Sequence, residues 1–155
     1  MARTILFVLL GAVLAAACSS VSGPPAGPTI PPPPEVEGDT ITTDSGLRYI
    51  EIAEGEGEPA VRGNEVRVSY TLWLEDGTGV DRGTIPQTGT FVLGSGSPNL
   101  IPGFTQGIVG MRQGGERRLI VPPELGYGSD GQGIIPPDAT LIFDVELLER
   151  RSRPQ

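Results

Sequence analysis

The sequence contains no histidine, a single cysteine and few aromatic residues. Without histidine, imidazole acid–base catalysis, histidine triads and most zinc sites are excluded. One cysteine, Cys18, allows neither an intrachain disulfide nor a metal site built on several thiolates. Lysine is missing as well: all eleven basic residues are arginine, and with nineteen acidic residues the net charge is −8. That balance speaks against nucleic acid as a partner, since a nucleic-acid binder carries a basic face. At 155 residues the chain has room for one domain of ordinary size. Its function must rest on side chains other than the usual reactive ones.

The N-terminus reads as a targeting segment. Arg3 precedes "ILFVLLGAVLAAA", an apolar run that ends at Cys18. A transmembrane helix needs about 20 such residues, so this run is short for a span. A basic start, an apolar centre and small residues before a break describe a secretory signal peptide over 1–17, with an uncleaved anchor as the alternative. "LAAAC" resembles the lipobox of bacterial lipoproteins, with Ala15 where leucine is preferred, which implies cleavage before Cys18 and a lipid on it. Residues 18–44 then read as a disordered tether rich in proline, including Pro31–Pro34. Such chain has too little apolar surface to offset its ordering entropy. Fully extended as polyproline II it would reach on the order of 80 Å.

From Ser45 the texture changes to short strands. "GLRYIEI" alternates, and in "EVRVSYTLWL" Val66, Val68, Tyr70, Leu72 and Leu74 share one face. "LEDGT" supplies a hairpin turn, because Asp-Gly tolerates positive φ. "TFVLG", "ERRLIVP" and "LIFDVELL" are further strands, so the sheet is expected to be antiparallel. One segment departs from this pattern. "LIPGFTQGIVGM" sets Ile101, Phe104, Ile108 and Met111 at helical spacing, with Pro102 suited to a first turn. Three glycines there weaken intrinsic helicity by roughly 1 kcal/mol each, so packing must hold the helix. Ile134 and Ile135 are unusual in another way. They sit in a loop stiffened by Pro136 and Pro137, although loops are usually polar.

"VSYTLWLEDGTGVD", "TFVLGSGSPNLIPGFTQGIVGMRQGGERRLIVPPELGYG" and "GIIPPDATLIFDVELL" together resemble the FKBP-type peptidyl-prolyl cis-trans isomerases, in order and in spacing. The resemblance implies an α+β domain over 45–151, a five-stranded antiparallel sheet wrapped around one short helix, with a tail at 152–155. It implies an enzyme that accelerates rotation about X–Pro bonds, needs no cofactor or metal, and takes proline-containing polypeptides and macrolide inhibitors. Tyr70, Asp81, Ile101 and Tyr127 then fall at catalytic positions: the Ile101 N–H and the Tyr127 hydroxyl meet substrate carbonyls, and Tyr70 holds Asp81. Val80, Phe91, Leu100, Phe104, Ile134, Ile135 and Phe143 fall at substrate-binding positions, the isoleucine pair at wall and rim.

This chain departs from the family pattern at Val80, where phenylalanine is common, and at Gly89, where an aromatic often edges the pocket. The combined expectation is a monomeric isomerase of exported proteins, lipid-anchored to a membrane of a bacterial cell envelope. The alternative is a tethered module that binds proline peptides or acts as a chaperone with little turnover.

Overall fold

The computed structural model describes residues 29–86, 90–96 and 100–152. The signal segment, Cys18 and Gly89 lie outside the described residues. Among the described residues the strands are β1 (Thr40–Thr42), β2 (Arg48–Ala53), β3 (Glu65–Leu74), β4 (Gly79–Ile85), β5 (Phe91–Val92), β6 (Glu116–Val121) and β7 (Leu141–Arg151), with one α-helix, α1 (Pro102–Ile108), between β5 and β6. All pairings are antiparallel, in the order β1-β2-β6-β7-β3-β4, with β5 on β3.

The fold is the α+β arrangement expected, but the sheet has seven strands and not five. Two short strands make the difference visible. β5 pairs with only Glu65 and Val66 of β3. β1 comes from the expected tether: Thr40, Ile41 and Thr42 pair with Ile50, Tyr49 and Arg48. The paired chain therefore begins before Ser45. Thr40–Thr42 is an exposed edge of three residues, Ile41 between two threonines, too short to show a pattern of its own, and pairing with β2 is what makes it a strand.

β7 is the centre of the sheet, paired with β3 along its length and with β6 over residues 141–146. Its alternate residues Leu141, Phe143, Val145 and Leu147 are buried, and they meet Val66, Val68, Leu72, Leu119 and Val121 in one core. The β3–β4 hairpin turns at Asp76-Gly77, where Gly77 has φ 85 and Asp76 Oδ1 accepts from the Thr78 N–H at 2.8 Å.

The glycines of α1 serve the packing that holds it. A Cβ on Gly103 would collide with the Val121 side chain, and one on Gly107 with that of Leu119. Two glycines on one helix face let α1 lie closer to β6 than any larger residue permits. Phe104 and Ile108, buried beside them, complete the contact. Arg117 fastens the other end. Its guanidinium donates to the carbonyls of Gly107 (2.7 Å) and Val109 (3.0 Å), pairs with Glu51 at 2.7 Å and lies 4.4 Å over the Tyr49 ring. A buried arginine is tolerable because its charge is paired and its donors are used.

Candidate active site

Between α1 and the concave face of the sheet lies a cavity of about 90 Å³. Its walls are Tyr70 and Leu72 from β3, Asp81 and Ile85 from β4, Leu100 and Ile101 at the entrance to α1, Phe104 on the helix, Tyr127 and Phe143. Strand alternation places Tyr70 and Leu72 on one face, and their partners Gly83 and Asp81 beside them. Three rings form the interior. Phe104 and Phe143 have centroids 5.2 Å apart, and Tyr70 stands edge-on to Phe104 at 5.9 Å and tilted to Phe143 at 6.3 Å. Such edge and tilted arrangements suit the ring quadrupoles.

Among the described residues Asp81 is the one charged side chain on this wall. Tyr70 donates to its Oδ2 at 2.6 Å, and the Arg82 N–H donates to its Oδ1 at 2.7 Å. Burial pushes the Tyr70 hydroxyl above the ordinary tyrosine range, and the bond to Asp81 pushes it further. Burial, then the Asp81 charge, also raises Tyr127. Both phenols therefore stay protonated at neutral pH and act as donors. Tyr127 Oη has no hydrogen-bond partner among the described residues and lines the cavity. Ile101 immediately precedes α1 with an extended backbone (φ −63, ψ 148), its carbonyl accepting from Thr105. The N–H groups at the start of a helix have no intrahelical partner.

Tyr70, Asp81, Leu100, Ile101, Phe104, Tyr127 and Phe143 thus share one cavity. The other expected site residues stand elsewhere. Val80 falls at a bulge, where Leu72 pairs with Asp81 but Trp73 with Gly79, and it packs on the core. Phe91 lines a neighbouring cavity of about 210 Å³, which shares the wall residue Leu100 with the first. The isoleucine pair divides. Gln132 and Ile135 exchange backbone hydrogen bonds of 3.0 and 2.9 Å, leaving Gly133 and Ile134 as a tight tip. Ile135 turns into the core at 6 % exposure, whereas Ile134 is 71 % exposed.

Leu72 and Ile85 are wall residues absent from the expected set. The alternation that selected Tyr70 also carried Leu72. Ile85 follows from Asp81 by the same period-two rule along β4. Among the described residues no group of three or more acidic, histidine or cysteine side chains is placed to hold a metal, and no helix is long and apolar enough to cross a membrane.

The fold and cavity define a small α+β domain whose pocket works through shape, aromatic surface and a few hydrogen-bond donors. Residues 56–148 match the family described as FKBP-type peptidyl-prolyl cis-trans isomerase, and the chain belongs to that family. It is 48% identical over 106 residues to an FK506-binding protein of Neisseria meningitidis serogroup B, a match covering 67% of this chain and 95% of that one. The crystal structure of FkpA from Escherichia coli is similar with a TM-score of 0.64 at 36% identity, over 76% of this chain and 54% of that one. The crystal structure of AtFKBP13 also gives 0.64, at 33% identity, over 73% and 99%. The protein is accordingly an isomerase of X–Pro peptide bonds.

Proposed function

We propose that this isomerase acts on exported polypeptides at a bacterial cell envelope, as a monomer held by a lipid on Cys18, and that it works by desolvating and twisting the prolyl amide in the aromatic cavity. The signal-like segment and "LAAAC" support the location. The cavity supports the mechanism: an aromatic interior in which the charged Asp81 is already bound by a tyrosine.

The prolyl amide rotates over a barrier of about 18–20 kcal/mol because resonance gives its C–N bond partial double character. Water stabilises the charge-separated planar form through the carbonyl oxygen. An apolar pocket withdraws that stabilisation, and the twisted amide, with less charge separation, loses less. Tighter binding of the twisted state is the catalysis, and each 1.4 kcal/mol or so is tenfold in rate.

In this reading the proline ring rests on Phe104, between Phe143 and Leu100. The Ile101 N–H and the Tyr127 hydroxyl take substrate carbonyls, and Asp81, fixed by Tyr70, sets the field beside the rotating amide. Phe91 and Ile134 contact the flanking residues, while Val80 and Ile135 support the walls from the core. An apolar macrolide of the FK506 kind would compete for the same surface. X–Pro isomerisation is slow enough to limit folding, which gives an envelope isomerase its purpose.

The observation that carries the proposal is the convergence of the Tyr70, Phe104 and Phe143 rings on one cavity that Tyr127 and Asp81 also line. A second reading, a proline-peptide binding module with little turnover, is favoured by Val80 packing on the core in place of a wall aromatic. NMR exchange of X–Phe–Pro and X–Leu–Pro peptides, with and without rapamycin, separates the two. Exchange that accelerates and is blocked by the macrolide supports catalysis in this cavity. Peptide binding with unchanged exchange would establish the binding module.

A further inference from the structure

The proline run Pro31–Pro34 lies against the outer face of the sheet. Trp73 donates its Nε1 proton to the Pro31 carbonyl at 2.6 Å, and Arg118 donates from Nη1 to the Pro34 carbonyl at 2.7 Å. Ile30 fits over Gly79, where a Cβ would come within 2.5 Å of the Ile30 Cβ. Pro32 and Pro33 pass within 3.8 and 3.7 Å of the corresponding position on Gly77. Trp73 is only 4 % exposed and Arg118 8 %, although both side chains point away from the core. They alternate with Leu72 and Leu119, which face inward, so this surface is opposite the isomerase cavity.

The chemistry matches a stiff proline helix. Consecutive prolines fix φ near −65° and keep preceding residues extended, so the run favours polyproline II. That helix has three residues per turn and no internal hydrogen bonds. Carbonyls three residues apart, as in Pro31 and Pro34, therefore point to the same side, about 9 Å apart. Trp73 stands opposite Ile142 and Arg118 opposite Asp144, on the two strands flanking β7. Two strand spacings are about 10 Å, and the long side chains take up the offset of one alternation along β7. Arg118 is held for this purpose: its Nε and Nη2 donate to the two oxygens of Asp144 at 2.6 Å each, which leaves Nη1 for the proline carbonyl.

We propose that the outer sheet face is a second proline-recognition site, in which Trp73 and Arg118 hold Pro31–Pro34 of this chain as a polyproline II segment. The proline run is then a docked strap, not a free spacer. If Cys18 is the lipid anchor, a consequence that rests on the envelope reading, chain length limits its distance from Ile30 to about 40 Å, half the reach of a free tether. The domain is held by its outer face, and its isomerase cavity opens on the other.

Trp73 is the only tryptophan in the chain, so its fluorescence reads the strap directly. Two variants of the full chain open the site by different routes. Pro31→Gly, Pro32→Ser, Pro33→Gly and Pro34→Ser together remove the stiffness and the ring surfaces. Gly79→Ala drives a methyl into Ile30. Both are expected to red-shift the Trp73 emission and steepen its quenching by acrylamide. A synthetic peptide of residues 29–38 is expected to reverse the shift in the glycine–serine variant and to leave the intact chain unaffected, because the tethered segment has the higher effective concentration. Isomerase turnover, measured in the same samples, is expected to be equal in all three proteins. Emission and quenching unchanged in both variants would overturn the strap. An opened site that the peptide does not close would overturn proline recognition by it.

Discussion

Tyr70 and Asp81 are joined across the β3–β4 pair by a hydrogen bond of 2.6 Å, running diagonally because Tyr70 stands opposite Gly83 and Asp81 opposite Leu72. The glycine gives the phenol a clear path along the sheet. Tyr70→Phe keeps the ring and its contacts with Phe104 and Phe143 but releases the carboxylate. Hydrogen bonds to charged groups contribute about 1.5–3 kcal/mol, and the exposure of Asp81 argues for the lower end. The expected result is a loss of roughly tenfold in kcat/KM with the thermal midpoint nearly unchanged. An equal loss after Asp81→Asn, with no further loss in the double variant, would identify the pair as one unit.

Phe143 and Tyr127 separate wall from donor. Phe143 is 5 % exposed and joins the core to the cavity, so Phe143→Ala should reduce turnover strongly and cost about 3–5 kcal/mol of stability. Tyr127→Phe removes only the hydroxyl that has no described partner. A single neutral hydrogen bond contributes about 1 kcal/mol, which predicts a loss of roughly fivefold in kcat/KM and no change in urea midpoint. Equal, near-zero effects on turnover in folded variants would rule this cavity out as the site.

Much of this was legible in the sequence, for identifiable reasons. Period-two alternation placed Tyr70 and Phe143 on the inner face, and three- and four-residue spacing placed Phe104 on the inner side of α1. Spacing does not reveal strand register. The bulge between Leu72 and Trp73 turns Val80 onto the core, and no local signal marks it. Arg117 reads in "ERRLIV" as one more charged residue, yet it caps α1 through contacts distant in sequence. The proline run carried the composition of disorder. Composition cannot report a tryptophan forty-two residues away that offers its N–H to Pro31. The glycines of α1 misled in a milder way, since low propensity hid a requirement for close packing against Leu119 and Val121.

Ile134 is the most exposed of the large apolar side chains described, at the tip of the turn closed by Gln132 and Ile135. Exposed at 71 %, it contributes little to folding, so Ile134→Ser should leave the unfolding free energy, read by urea denaturation, within about 0.5 kcal/mol of the parent. A role at the rim predicts a higher KM for substrates with bulky residues beside the proline, and an unchanged kcat. An unchanged KM across such a peptide series would remove Ile134 from the site.

Glu116 offers a test by pH. It stands directly opposite Glu146 in the β6–β7 pair, an arrangement of like charges that destabilises a sheet. Burial raises its carboxyl above the ordinary glutamate range, and the charges of Asp144 and Glu146 raise it further against the opposing effect of Arg118. The sign follows from proton binding. A free glutamate in the unfolded chain ionises near pH 4.3, while the folded protein holds the Glu116 proton to higher pH. Between those two points the folded state binds more protons, so stability falls as pH rises. Glu116→Gln has no proton to lose and escapes that decline. It should be more stable than the parent at pH 7, and the gap should close as pH falls through the carboxyl range, where both states of the parent are protonated. Urea denaturation at pH 7, 5 and 3 reads the gap directly. A gap that stays constant with pH would assign the effect to side-chain packing and not to the charge facing Glu146.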